Sequence, residues 1–225
     1  MADRCLLYYI TDRSQFRGDD ETRRRALLAK VAEAARAGVD YIQLREKDLS
    51  AKELEMLARS ALTALRNETR LGTENRELRT RLLINSRTDI ALVVGADGVH
   101  LRADDLSPRE VRAVVEFSAC LPATGHFLVA ASCHTAADVL RAESEKADFV
   151  VFAPVFGKRG PVETPPAGLA ALREACRAKI PVLALGGVNL ENAASCLQAG
   201  AAGVAGIRLF QENVIEDVVR ALRAL

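Results

Sequence analysis

The chain has 225 residues, nearly half of them hydrophobic, and its 31 lysines and arginines almost balance its 30 aspartates and glutamates. So weak a summed field disfavours nucleic acid as the main partner. No apolar run approaches membrane-spanning length, and Met1-Ala2-Asp3-Arg4-Cys5 lacks the apolar core of a signal peptide, which disfavours a membrane partner or export.

Short β-rich runs alternate with helical patterns along the chain. Strands are expected at Cys5–Thr11, Tyr41–Arg45, Arg81–Asn85, Gly98–Leu101, Phe127–Ser132, Phe149–Phe152, Pro181–Leu185 and Gly203–Ile207. Between them, Leu27, Val31, Ala34 and Ala35 follow helical i, i+3, i+4 spacing. So do Leu54, Leu57, Ala58, Ala61, Leu62 and Leu65, and later Val214, Ile215, Val218, Val219 and Leu222. Ser107-Pro108 suits a helix start, with an N-cap followed by proline at the first helical position. Eight strand–helix units predict one α/β domain over residues 1–225, a single (β/α)8 TIM barrel; an open doubly wound sheet fits eight unbroken units less well.

A faint repeat agrees. Gly38-Val39-Asp40, Gly95-Ala96-Asp97, Lys146-Ala147-Asp148 and Gly200-Ala201-Ala202 each lead into an even-numbered strand, at spacings of 57, 51 and 54 residues. A period of two βα units is what quarter-barrel symmetry leaves behind. Arg66–Thr80 is expected as a loop on the N-terminal face. Ala153–Ala167 follows a strand instead, so it belongs to the C-terminal face as a closing segment. Aromatics make up 4% and Trp is absent, so the core is expected to consist of Ala, Val, Leu and Ile. The five cysteines form no CxxC and are expected as reduced thiols of a cytoplasmic protein.

Strand ends of a barrel collect on one face, so the polar residues there are neighbours. Gln43, Arg45 and Lys47 alternate within Gln43-Leu44-Arg45-Glu46-Lys47 and would share a face, where two cations and an amide suit a diphosphate or similar anion. A solvated strand end explains the pentapeptide equally well. Gly186-Gly187, coupled with Arg208 on the next strand, favours phosphate capture at the strand 7 and 8 termini over a plain tight turn. Asp104 reads as dipole complement to the Ser107 helix and Asp105 as a Mg2+ ligand. His134 is balanced between acid–base chemistry and structure. His100 reads as buried structure, His126 lies on the opposite face, and Cys133 is a weak nucleophile candidate.

With Tyr9-Ile10-Thr11-Asp12, Gln43–Lys47, Leu83-Ile84-Asn85, Gly95–Leu101, Asp105, Ser132-Cys133-His134-Thr135, Pro154-Val155-Phe156 and Gly186-Gly187-Val188, the chain resembles thiamine phosphate synthases over nearly its whole length. The resemblance implies a (β/α)8 transferase that joins a hydroxymethylpyrimidine diphosphate to a hydroxyethylthiazole phosphate with Mg2+. Departure of diphosphate would leave a pyrimidine-methyl cation that the thiazole nitrogen traps. It implies that Gln43, Arg45, Lys47 and Asn85 hold the pyrimidine diphosphate, that Ser132 makes another substrate contact, and that Gly186, Gly187, Ile207 and Arg208 face the thiazole phosphate. Asp105 would bind magnesium.

The chain departs from this pattern at four places. Ser86 stands where the family usually has a second magnesium-binding Asp, so the metal set would be Asp105 with the Ser86 hydroxyl. Arg102 replaces a usual Gly, and Arg208 a usual Ser. Gly157-Lys158-Arg159-Gly160 replaces a Thr-x-Thr-Lys loop, leaving Lys158 or Arg159 to take the diphosphate contact. Two alternatives stand beside synthase: a thiazole tautomerase using His134, and a non-catalytic barrel that binds a phosphorylated thiamine precursor. The partners implied are small phosphorylated pyrimidines and thiazoles; a homodimer stays open.

Overall fold

A computed structural model describes residues 4–72, 80–118, 125–157 and 165–225. Eight parallel strands close into a barrel in sequential order, β1 (Leu6–Ile10), β2 (Tyr41–Leu44), β3 (Arg81–Asn85), β4 (Gly98–Leu101), β5 (Leu128–Cys133), β6 (Phe149–Phe152), β7 (Val182–Ala184) and β8 (Gly203–Gly206). The TIM-barrel expectation holds, with strand ends within two residues of those read from the sequence. Helices α1 (Asp20–Ala37), α2 (Ala51–Gly72), α3 (Thr88–Val94), α4 (Pro108–Glu116), α5 (Ala136–Ser144), α6 (Gly168–Ala175) and α7 (Ala193–Gln198) fill the crossovers; α8 (Arg208–Gln211) and α9 (Ile215–Arg223) follow β8.

Local chemistry accounts for several helix ends. Ser107 and Thr135 each form a reciprocal capping box, with Glu110 and Asp138 respectively. Three expectations need correction. Arg66–Gly72 continues α2 rather than forming a loop, because no proline or glycine breaks the helix before Gly72. The last helix begins at Ile215, and Val214 is an exposed cap, leaving Ile215, Val218 and Leu222 as its buried stripe. The core also differs from the aliphatic expectation. Its outer shell is largely aliphatic, but inside the barrel Tyr8, Tyr41 and Phe149 pack together among Ile10, Leu83, Leu128, Val151 and Leu183. Tyr41 stacks on Phe149 at 4.7 Å, and Tyr8 meets Phe149 edge-on at 5.4 Å. Gly98 begins β4, paired with Leu83 and Leu128, and a Cβ there would lie 2.1 Å from the Leu128 carbonyl oxygen.

The sequence repeat has a structural meaning. Asp40, Asp97 and Asp148, each just ahead of an even-numbered strand, accept the backbone N–H of Leu7, Leu82 and Val129 at 2.7, 2.9 and 2.6 Å. Each carboxylate therefore fastens an even strand to the odd strand before it, at the N-terminal end of the barrel. Ala202 occupies the fourth position without a carboxylate. Arg223 of α9 adds hydrogen bonds to the Cys5 and Gly38 carbonyls and to Asp40, closing the seam between the last helix and the first two strands.

Candidate functional site

The C-terminal ends of β1 to β5 bring a connected set of polar side chains to the barrel mouth. Gln43 is buried and faces inward; its Nε2 donates to Asn85 Oδ1 at 3.0 Å, and Asn85 Nδ2 donates to Ser86 Oγ at 3.1 Å. Ser86 sits at φ 63°, a left-handed conformation uncommon outside glycine, asparagine and aspartate, and such strain clusters at functional sites. One level further in, the Tyr8 hydroxyl lies 3.1 Å from His100 Nδ1, and His100 Nε2 lies 2.8 Å from Ser132 Oγ. Burial, and after it the charge of Arg45, hold His100 far below its usual range, at about 3. His100 is thus a neutral structural residue, as expected.

β2 ends at Leu44, so Arg45 and Lys47 both lie beyond the strand and do not share its face with Gln43; Lys47 lies in the following turn, exposed. Arg45 is half-buried at the rim, and its guanidinium makes no hydrogen bond or ion pair among the described residues. Burial lowers its proton affinity, the carboxylates of Asp12 and Glu46 act the other way, and the charge of Arg102 lowers it again. A desolvated, uncommitted guanidinium is suited to an anion that brings its own negative charge.

Asp105 does not point freely into the mouth. Its Oδ2 accepts the Arg102 backbone N–H at 2.7 Å, and Arg102 Nη2 bonds Asp104 at 3.1 Å and approaches Asp105 Oδ1 at 3.4 Å. Arg208 is exposed at the start of α8 and forms no ion pair with Asp105. No cluster of three or more His, Cys, Asp or Glu side chains suited to a metal occurs among the described residues. Asp105 and Ser86 follow the neighbouring strands β4 and β3, where the Asp105 carboxylate is engaged by Arg102 and the Ser86 hydroxyl accepts from Asn85.

At the other side of the mouth, Gly186 and Gly187 adopt φ 95° and 68°. The segment after β6 lies directly on them: Phe156 N–H donates to the Gly186 carbonyl at 2.8 Å, and a Cβ at Gly187 would sit 2.7 Å from the Gly157 carbonyl oxygen. Val155 and Phe156 of the expected closing segment are therefore pinned to the stretch after β7 by their N–H bonds to the Leu185 and Gly186 carbonyls, while Lys158 and Arg159 lie outside the described residues. His134 Nδ1 lies 2.7 Å from the Ala153 carbonyl, to which it must donate, so Nε2 carries the free lone pair of the neutral ring. Ile207 precedes α8 as its N-terminal cap residue. Sequence reasoning missed Arg13 and Glu46, which meet at 3.2 Å beneath the β2 rim. The signal was the alternation itself, which puts Glu46 on the side opposite Arg45.

Residues 7–210 match the family described as thiamine monophosphate synthase. The chain belongs to that family. Thiamine-phosphate synthase of Syntrophomonas wolfei is 36% identical over 224 residues, 97% of this chain and 95% of its own. The enzyme of the same name from Methanoculleus marisnigri is 37% identical over 220 residues, 96% of this chain and 93% of its own. Among solved structures, thiamine phosphate pyrophosphorylase from Pyrococcus furiosus superposes with a TM-score of 0.75 at 26% identity, covering 99% of this chain and 95% of that one. No described helix is long and apolar enough to cross a membrane.

Proposed function

We propose that this chain is a cytoplasmic transferase that couples a hydroxymethylpyrimidine diphosphate to a hydroxyethylthiazole phosphate, giving thiamine phosphate and diphosphate. The observation that supports it most is Arg45, a half-buried guanidinium at the mouth with no carboxylate bound to it among the described residues. Diphosphate departure needs negative charge stabilised as the carbon–oxygen bond breaks, and a preorganised cation in a partly dry site does this without reorganising. Gln43 and Asn85 hold one another at 3.0 Å, which fixes both amides before substrate arrives. Lys47 and Lys158 would add charge from the β2 turn and the segment after β6. Mg2+, carried by Asp105 and Ser86 with substrate oxygens, would supply further charge neutralisation on the diphosphate. Ser132 would touch the pyrimidine side, with Gly186, Gly187, Ile207 and Arg208 receiving the thiazole phosphate. No general base is required, because the thiazole nitrogen attacks as a neutral nucleophile.

The deciding experiment incubates pure protein with both phosphorylated halves, with Mg2+ or with a chelator, and follows thiamine phosphate by chromatography. Absence of Mg2+-dependent product would refute the reading. Thiazole tautomerisation is the second reading, favoured by the Nε2 lone pair that the Ala153 contact leaves on His134. It would be eliminated if His134→Ala left proton exchange on a thiazole phosphate unchanged.

A further inference from the structure

We propose that Glu46 and Arg13 form a positioning device for the cations at the β2 rim, with Thr11 as its fastener; the inference rests on the diphosphate reading above. Arg45 and Lys47 lie beyond Leu44, where the strand ladder no longer fixes the backbone. What fixes it is the residue between them. Glu46 turns to the opposite side, its side chain only 2% exposed, and accepts from Thr11 Oγ1 at 2.6 Å, Arg13 N at 3.0 Å and Arg13 Nη1 at 3.2 Å. Thr11 Oγ1 also accepts the backbone N–H of Arg45 itself, at 2.9 Å. Arg13 then forks onto both oxygens of Asp48, at 2.6 and 2.8 Å, and binds Asp20 at 2.9 Å.

The segment carrying the two cations is thus tied at Arg45, Glu46 and Asp48 to the stretch that follows β1. A buried ion pair is a weak source of stability, since desolvation offsets most of the attraction. What it supplies is geometry: a carboxylate with three directed donors cannot rotate without stranding a buried charge. Burial pushes the Glu46 carboxyl up, while the bonds from Thr11 and Arg13 act against that rise. Neither Glu46 nor Arg13 touches a reacting atom, so both act through Arg45 and Lys47. This role separates the diphosphate end of the site from the thiazole-phosphate end, which is built from the β7 and β8 termini.

Calorimetric titration with inorganic diphosphate and Mg2+, together with KM for each phosphorylated substrate, tests the assignment. Glu46→Ala and the isosteric Thr11→Val are expected to weaken diphosphate binding by about tenfold and to raise KM for the pyrimidine diphosphate in parallel. KM for the thiazole phosphate should not move. Glu46→Gln keeps one acceptor oxygen, for Thr11, but turns an amide NH2 toward the Arg13 donors, and should recover part of the loss. Folded variants that bind diphosphate as the unaltered chain does would overturn the proposal, as would an equal rise in both KM values. Glu46→Gln as weak as Glu46→Ala would overturn it in favour of a role for charge alone. If Glu46→Ala fails to fold, Thr11→Val decides. An unaltered chain that binds no diphosphate would refute the proposed function, and the positioning role with it; unaltered binding in the variants refutes the positioning role alone.

Discussion

Acidification tests the buried state of His100 directly. The folded chain holds this imidazole at about 3, against 6.5 for an ordinary histidine, first because burial removes water and then because Arg45 repels a second cation. Between those values the unfolded chain binds a proton that the folded chain refuses. The stability contributed by neutral His100 is therefore fully present above pH 6.5 and is lost as pH falls toward 3. Each pH unit in that window costs about 1.4 kcal/mol, so a shift from pH 7 to 4.5 should remove about 3 kcal/mol through this residue. Carboxylates titrate over part of the same range, so the measurement is differential. Urea midpoints for the unaltered chain and His100→Asn would be compared at pH 7, 5.5 and 4.5, since asparagine can take the place of Nδ1 toward Tyr8 but takes no proton. The unaltered chain should lose about 3 kcal/mol more than the variant over that span. Equal losses would mean that His100 is hydrated or already charged in the fold, and the physical account of the Tyr8–His100–Ser132 chain would fail.

Three further outcomes are expected. Arg45→Ala should raise KM for the pyrimidine diphosphate by roughly ten- to a hundredfold, the worth of a charge-assisted hydrogen bond, with an unchanged urea midpoint because the guanidinium bonds no other described residue. Ser86→Asp should lower the Mg2+ concentration that gives half-maximal coupling, because aspartate tolerates the left-handed backbone at φ 63° and adds a second carboxylate beside Asp105. Asp97→Ala should cost about 1–3 kcal/mol in urea unfolding, the penalty of stranding the buried Leu82 N–H.

The fold was readable because each strand is a short apolar run bounded by turn residues, and because Asp40, Asp97 and Asp148 recur at two-unit intervals for a mechanical reason. Residues at strand ends, such as Gln43, Asn85 and Ser132, were readable for the same reason, since topology alone brings them together. Side-chain direction beyond the ladder was not. Arg45 and Lys47 left the shared face once β2 stopped at Leu44. Asp105 turned toward Arg102, a choice set by a backbone donor three residues earlier that no periodicity encodes. Arg13 and Glu46 escaped notice because each looks like an ordinary surface charge until the β1 and β2 ends are superposed. Composition counts the few aromatics but does not place them, and three of them meet inside the barrel among aliphatic side chains.

Those rings leave the vessel with one doorway. Tyr8, Tyr41 and Phe149 plug the lumen below Gln43 and Ser132, so nothing can pass through to the opposite end. On the function proposed above, reactants and products would share that opening, and a half seated deeper would leave only after the shallower one. Turnover on such a scaffold is a matter of queueing as much as of chemistry, and added diphosphate should compete with the half that enters beside Arg45.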